Sequence, residues 1–480
     1  MKKILLVLTA FIYISFPHIT AAPVDTLIAR QIAQKHHALL TNSKVANDAQ
    51  LASVWQRTSP ATQQDINCFY IFNVTGGFVI VSGDDRAVPI LAYSTEGNFD
   101  SQNIPVQMAD LLDNYADEML AILASPQTDN RLTKSAWDAI LQQKGNAKDT
   151  VLLEPLIHTT WAQTNYYNDL CPADPNGPNG HALVGCIAVV MGQLMKYWEY
   201  PTTGQGSYGY NCNFAGYGNG YGNYGYLSAD FGNTTYDYAN MPDKLTWATD
   251  SVKRLAVATL LYHCGIGANT VYGSVGSMAN TNYMVSALTN FFRFESDVRY
   301  VTRDSYSSTQ WLEMMKTELD SLQPFCYGGT GNQGGHAFIC DGYSEDGYFH
   351  VNWGWNGTHN GYFLLSDMSP AAYSFNSEQA AIIGIRGPQL PNAGVSEHQE
   401  KTSLSVYPNP SNGRFTVQLS SSDRLPQSIL SIYDIYGRLL RTELVESEQT
   451  HLNLTDLSAG TYLLQVESRT GKISRKIVIQ

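Results

Sequence analysis

Three signatures are missing from the chain: it holds no C-x-x-C pair, no H-E-x-x-H and no G-x-S-x-G. A structural zinc knuckle, a zincin centre and a serine-hydrolase elbow therefore lack their usual marks. Charge is scarce as well, at 15% of residues, and the positive side is the smaller, 29 Lys plus Arg against 42 Asp plus Glu for a net charge of -13. A chain of that sign is not built to grip a polyanion, which argues against nucleic acid as a partner. After the first residues no apolar run is long enough to span a membrane, so the mature chain is expected to be soluble outside the cytoplasm. Cysteines number seven, an odd count, so at least one thiol stays unpaired or pairs outside the chain.

What is present divides into segments. Lys2 and Lys3 precede an apolar run from Ile4 to Phe16, and Thr20-Ala21-Ala22 supplies small residues for cleavage, so 1–22 reads as a secretory signal peptide. Residues 23–147 read as an α+β unit: helices over Thr26–Leu40, Val106–Leu123 and Leu132–Gln142 flank strands at Cys68–Val74, Gly77–Ser82 and Val88–Tyr93, with a hairpin turn at Thr75-Gly76-Gly77. The polar, basic run to Lys148 has the composition of an exposed linker. Residues 148–387 form a larger α+β unit, with helices near Val252–His263, Met278–Phe292 and Thr309–Leu322 followed by strands that suit an antiparallel sheet. Within it, 204–226 carries eight glycines and six tyrosines and reads as an irregular surface loop, the alternative being the wall of a substrate groove. A linker over 388–402 precedes short alternating strands in 403–480, the pattern of a small β-sandwich.

The chemistry centres on Cys186. Apolar residues recur at Ile187, Val190, Met191, Leu194 and Met195 until Pro201 stops the run, so Cys186 opens a buried helix. Free N–H groups and the helix dipole there favour thiolate over thiol. Far downstream, Gly334-Gly335-His336-Ala337-Phe338 places a histidine at the mouth of an apolar strand. Their separation, 336 − 186 = 150 residues, agrees with a papain-like order of Cys on a helix and His on a later strand. Such an imidazole takes the thiol proton and returns it to the leaving amine. The strand turns at Ser344–Gly347 and comes back through Asn352 and Trp353. A three-residue loop with Gly347 left-handed puts Asn352 on the face of His336; a four-residue loop puts Trp353 there. Asn352 is favoured as the hydrogen-bond partner, with Trp353 as its apolar cover; Asp341 and His350 find little support from strand alternation. The Cys186 N–H is one oxyanion donor, and Gln163 is the candidate for the other.

These stretches resemble the streptopain-like secreted cysteine peptidases of bacteria, which share the papain-like fold. The resemblance rests on Gly185-Cys186, Gln193–Pro201, Val271–Ser277, Gly334–Phe338 and His350–Trp355. It implies Cys186 as nucleophile, His336 as general base and acid, Gln163 as oxyanion donor, Ser277 and Gly335 as substrate-backbone contacts, and Asn352 and Trp353 as supports of the histidine, with no metal or organic cofactor. Through Gly77–Arg86 and Ile90–Ser94 the front unit is similar to that family's inhibitory propeptide, with maturation expected near Lys144–Lys148. Tyr407–Pro410, Tyr433–Arg438 and Leu457–Tyr462 make the tail similar to sorting domains of the type nine (Por) secretion route, which implies outer-membrane export machinery as a partner. Protein or peptide substrates, and the front unit as its own inhibitor, follow from the same resemblance. The competing readings are a catalytically inactive binding or adhesion protein on this scaffold, and a thiol amidase or transglutaminase.

Overall fold

The structure, a computed structural model, describes residues 23–41, 43, 48–125, 131–142, 151–218, 220–331, 334–365, 379–387, 402–421, 428–433, 439–445, 449–468 and 471–480. The leader read at 1–22, the cut region Lys144–Lys148 and all but the last residue of the 388–402 linker fall outside the described residues. The chain divides into two compact units, Met1–Pro388 and Gln389–Gln480.

In the first unit the front segment folds much as its periodicity predicts. The helix Thr26–Leu40 starts where the Asp25 carboxylate accepts the Ile28 N–H, and it buries Ala29, Ile32 and Ala33. Asp65–Val74 and Gly77–Ser82 pair across a two-residue turn, in which Gly76 takes φ +79°, a value only glycine adopts freely. One strand, Gln50–Thr58, had no clear alternation to announce it; it lies at the sheet edge against Asp65–Val74 and is half exposed along its length.

This front sheet and the one behind it are continuous. Ile90–Ser94 pairs antiparallel with Gly361–Leu364, Tyr93 opposite Tyr362 and Ala92 opposite Phe363. From that joint the order runs Gly361–Leu364, Tyr348–Asn352, Gly334–Ser344, Phe325–Gly331, Ala380–Ile383, Arg299–Thr302, completing a sheet of eleven strands with Val151–Leu153. Apolar residues of both segments share one core that includes Ile80, Leu112, Tyr115, Phe338, Phe349 and Trp353. Two stretches that the sequence reads as separate units are thus one body, because the front strand completes the backbone pairing of an otherwise open edge.

Helices cover the other part: Cys186–Trp198 packs on Ser251–Gly267 and on the strand Gly334–Ser344, and Thr281–Asn290 closes the group. Its core gathers Val190, Met191, Leu194, Leu261 and Ile339, each worth about 1.5–3 kcal/mol when taken out of water. The Gly/Tyr-rich segment departs from its reading as an irregular loop. Ser207–Asn213 and Asn223–Asp230 pair as a hairpin. Its glycines alternate with the rings rather than breaking the strands: a Cβ on Gly209 would meet the Tyr226 hydroxyl at 2.5 Å, while Tyr208 stacks on Phe291 and the Tyr210 hydroxyl donates to the Thr270 carbonyl at 2.6 Å.

The second unit holds a three-stranded sheet, Thr402–Tyr407, Arg414–Ser421 and Gln449–Asn453, and a four-stranded one of Leu439–Val445, Ser428–Tyr433, Gly460–Ser468 and Gly471–Ile479. Both contribute to one apolar cluster, with Phe415, Val417 and Leu452 from the first and Leu430, Leu464 and Ile477 from the second. That is the sandwich its alternation predicts.

Candidate active site

The Cys186–Trp198 helix begins at a turn that only glycine accommodates. Gly185 has φ +89°, and a Cβ there would come within 3.3 Å of the Ser277 carbonyl. Cys186 is consequently in the first helical turn, partly exposed in a cleft of about 470 Å³ that His336 and Ala337 also line. His336 stands on the strand Gly334–Ser344, paired with Gly329, and is buried. The two groups far apart in sequence therefore meet in one cleft.

The surroundings of both groups in this form disfavour the expected thiolate. Burial pushes the Cys186 thiol up, and the N–H groups of Ala337, Ile187 and Cys186 itself pull it down without offsetting that. Burial also pushes His336 down to about 3; the Trp353 main-chain carbonyl raises it only weakly. Neither ring nitrogen of His336 has a hydrogen-bond partner among the described residues, that carbonyl and the thiol included. Burial disfavours the charged form of both groups, and the two are not hydrogen-bonded to each other. The cause is visible on the far side of the ring, where Asp110, Leu111 and Asn114 of the front helix Val106–Ala124 enclose a cavity of about 40 Å³ with His336, Phe338 and Gln379.

The support of His336 needs a correction. The loop Glu345–Gly347 is the three-residue kind, with Gly347 at φ +88°, yet Asn352 does not share the face of His336. A β-bulge between Cys340 and Gly342 inserts one residue, so Asn352 pairs with Ile339, and every position beyond the bulge changes face. Trp353 takes the place expected of Asn352: its ring lies nearly parallel to that of His336, centroids 6.4 Å apart, and contacts Phe338 at 4.7 Å. The Asn352 amide instead donates to the Thr159 carbonyl at 2.7 Å, and its Oδ1 accepts the Gly354 N–H. The extra residue is Asp341, whose fully buried carboxylate accepts from His350 Nδ1 at 2.6 Å and from the Ile157 N–H at 3.0 Å. A polar residue followed by glycine inside an apolar strand was the available signal for the bulge.

Gln163 is buried, and its side-chain Nε2 has no partner among the described residues, a donor left unused inside the protein. Gln193, which sequence reasoning did not single out, holds the neighbourhood together from the Cys186 helix. Its Oε1 accepts the Thr159 hydroxyl at 3.0 Å and the Trp161 N–H at 3.1 Å, with the Asn352 amide at 3.4 Å. Ser277 turns its hydroxyl inward, donating to the Leu183 carbonyl at 2.7 Å and accepting the Gly273 N–H at 3.0 Å. Its side chain fixes the loop beside Cys186, which leaves only its main chain for a substrate. Gly335 sits in the His336 strand opposite Thr330. All seven cysteines are unpaired, and only Cys186 among them is not buried.

A cysteine opening a buried helix and a histidine on the adjoining antiparallel sheet, lining one cleft, are the arrangement of a thiol peptidase of papain-like fold. Comparison with known proteins gives the family. A model of the peptidase C10 family matches residues 161–363, one for a Spi protease inhibitor matches 21–119, and one for a secretion system C-terminal sorting domain matches 405–480. Streptopain of Streptococcus pyogenes is 30% identical over 369 residues, 74% of this chain and 88% of that protein. The thiol protease/hemagglutinin PrtT of Porphyromonas gingivalis is 28% identical over 441 residues, 88% of this chain and 47% of that protein, so the chain spans about half of that relative. A solved prointerpain A fragment of Prevotella intermedia is 31% identical with a TM-score of 0.55, covering 71% of this chain and 99% of the fragment. The chain belongs to the peptidase C10 family. It is a cysteine peptidase with a propeptide-type inhibitor segment in front and a sorting segment behind, the latter placing it among secreted or cell-surface proteins.

Proposed function

We propose that the chain is the zymogen of a secreted endopeptidase in which Cys186 is the nucleophile and His336 the general base and acid. The single observation that carries this is the shared cleft of a helix-initial thiol and a strand histidine. In the active form His336 takes the thiol proton and the sulfur attacks the peptide carbonyl. The resulting oxyanion is met by the Cys186 N–H and by Gln163 Nε2, the unused buried donor. The intermediate collapses as His336 protonates the leaving amine, and water then hydrolyses the thioester with the same imidazole as base. Trp353 is the support of His336 in this reading, and Asn352 is a structural residue. Gly335 and the main chain of Ser277 contact the substrate backbone.

Latency belongs to the same reading. The front helix stands beside the histidine and adds to the burial that disfavours its charged form, so the active ion pair forms when that helix leaves after cleavage near Lys144–Lys148. Domain limits follow as 23–147 for the propeptide, 148–387 for the peptidase and 403–480 for the sorting segment. Export runs through the signal peptide over 1–22, the periplasm and an outer-membrane machine that reads the tail. Cys186→Ala is expected to abolish both casein hydrolysis and self-maturation; purified mutant that matures alone at the wild-type rate would contradict the assignment.

A further inference from the structure

The bulge that moves Asn352 away from His336 also carries a carboxylate into the interior, one that the chemistry at the thiol leaves unused. Asp341 is fully buried and both of its oxygens are engaged, Oδ1 by His350 Nδ1 at 2.6 Å and Oδ2 by the Ile157 N–H at 3.0 Å. Its main-chain carbonyl accepts the Leu156 N–H at 2.9 Å as well. Beside it, a Cβ on Gly342 would stand 2.8 Å from the Leu153 carbonyl and 3.1 Å from the Pro155 nitrogen, so glycine is what lets the two backbones come together. His350 is half-buried, its ring edge-on to Tyr362 with centroids 5.2 Å apart. Taking a carboxylate out of water is costly, and its gain here is to fix two donors in defined directions.

The chain that those donors anchor leads to the oxyanion site. From Leu156 it runs as a ribbon to Gln163, fastened along its length. The Thr159 carbonyl accepts the Asn352 amide at 2.7 Å, and the Thr159 hydroxyl and the Trp161 N–H both donate to Gln193 Oε1. The Gln163 carbonyl accepts the Val184 N–H at 3.0 Å, just ahead of the nucleophile. The ribbon is thus tied at Asp341 to the strand of His336, and through Gln193 to the helix that Cys186 opens. Misplacing a catalytic donor by about 1 Å costs on the order of 100-fold in rate.

We infer that Asp341 and His350 are a positioning pair for the reaction: they hold the ribbon 156–163 in register with the histidine strand, so that Gln163 Nε2 keeps a fixed place relative to His336 and Cys186. The inference rests on the peptidase reading with Gln163 as oxyanion donor, and adds the groups that place that donor. Neither Asp341 nor His350 lines the cleft of the thiol.

The test uses full-length chains opened near Lys144–Lys148 by a lysine-specific serine peptidase, which is then inhibited. Wild type, Asp341→Asn, Gln163→Ala and the double variant are compared. Asparagine keeps the size of the side chain and offers one acceptor oxygen where two donors converge. In Asp341→Asn, kcat for a peptide substrate is expected to fall about tenfold with KM nearly unchanged, because the oxyanion contact is made in the transition state. Affinity for a peptide aldehyde, whose carbonyl takes up the thiol to give a tetrahedral hemithioacetal, falls by the same factor. Alkylation of Cys186 by iodoacetamide, a displacement at carbon that forms no oxyanion, keeps its rate. In the Gln163→Ala background Asp341→Asn costs almost nothing more, since the donor it places is gone. His350→Gln gives the same readouts should Asp341→Asn fail to fold. Losses that multiply in the double variant, an alkylation rate that falls with kcat, or an unchanged kcat in the folded variant overturns the positioning role. Full kcat in Gln163→Ala removes Gln163 as donor and the inference with it. A wild type that cleaves nothing, and whose Cys186 resists alkylation, overturns the peptidase reading itself.

Discussion

Removing a single oxygen from the front helix is expected to loosen the latent form. Tyr115 is buried, and its hydroxyl donates to the Leu364 carbonyl at 2.7 Å, across the joint between the front strand and the strand Gly361–Leu364. The Leu91 carbonyl stands at 3.2 Å, but one O–H proton serves the nearer acceptor. Tyr115→Phe keeps the ring and its packing and deletes that bond, leaving a buried carbonyl short of a donor. The cost is about 1–2 kcal/mol, which multiplies the open population of the joint by about 5–30. The assay is native-state hydrogen exchange on full-length Cys186→Ala chain, in which self-cleavage is blocked. The peptide over Gly361–Leu364 should exchange faster by that factor, while one over Phe325–Gly331, deep in the sheet, keeps its rate. No acceleration at the joint, or equal acceleration in both peptides, would refute the claim that the front strand closes this edge locally.

Acid should weaken the same unit. His36 in the front helix is pushed down from 6.5 to about 3 by burial, with His37 beside it adding to the effect, and His359 is lowered by burial while its Nε2 accepts the Asp100 N–H. A histidine held neutral when folded contributes stability at pH above its unfolded value of 6.5, and that contribution is lost as pH falls toward the folded value. For His36 the slope is about 1.4 kcal/mol per pH unit between 6.5 and about 3, and His359 acts in the same direction. Urea midpoints of the Cys186→Ala chain followed from pH 6.5 to 3 should fall, and His36→Leu should fall less steeply; parallel curves would remove His36 from the account. In the mature enzyme, Trp353→Ala should shift the acid limb of kcat/KM, since that ring and its carbonyl border His336. Asn352→Ala should instead lower the melting temperature with the pH profile intact; a moved acid limb in that variant would restore Asn352 as the histidine's partner.

Local signals carried a large share of this molecule. A glycine before a cysteine, apolar residues at helical spacing and a proline beyond them were enough to start a buried helix at Cys186, because capping and periodicity act over a few residues. Alternation likewise placed the strand of His336, and the left-handed Gly347 gave the loop after it. What only the tertiary structure decided was which neighbour stands behind the imidazole. That choice turned on one inserted residue, Asp341, held in its bulge by His350 and by the backbone of Ile157, 184 positions earlier. A side-chain period of two converts a slip of one residue into a change of face, and no local pattern records a partner so distant. The surroundings of the histidine have the same origin: the front helix, joined to the peptidase through a shared sheet, stands beside His336, a neighbour that no local pattern of the strand records.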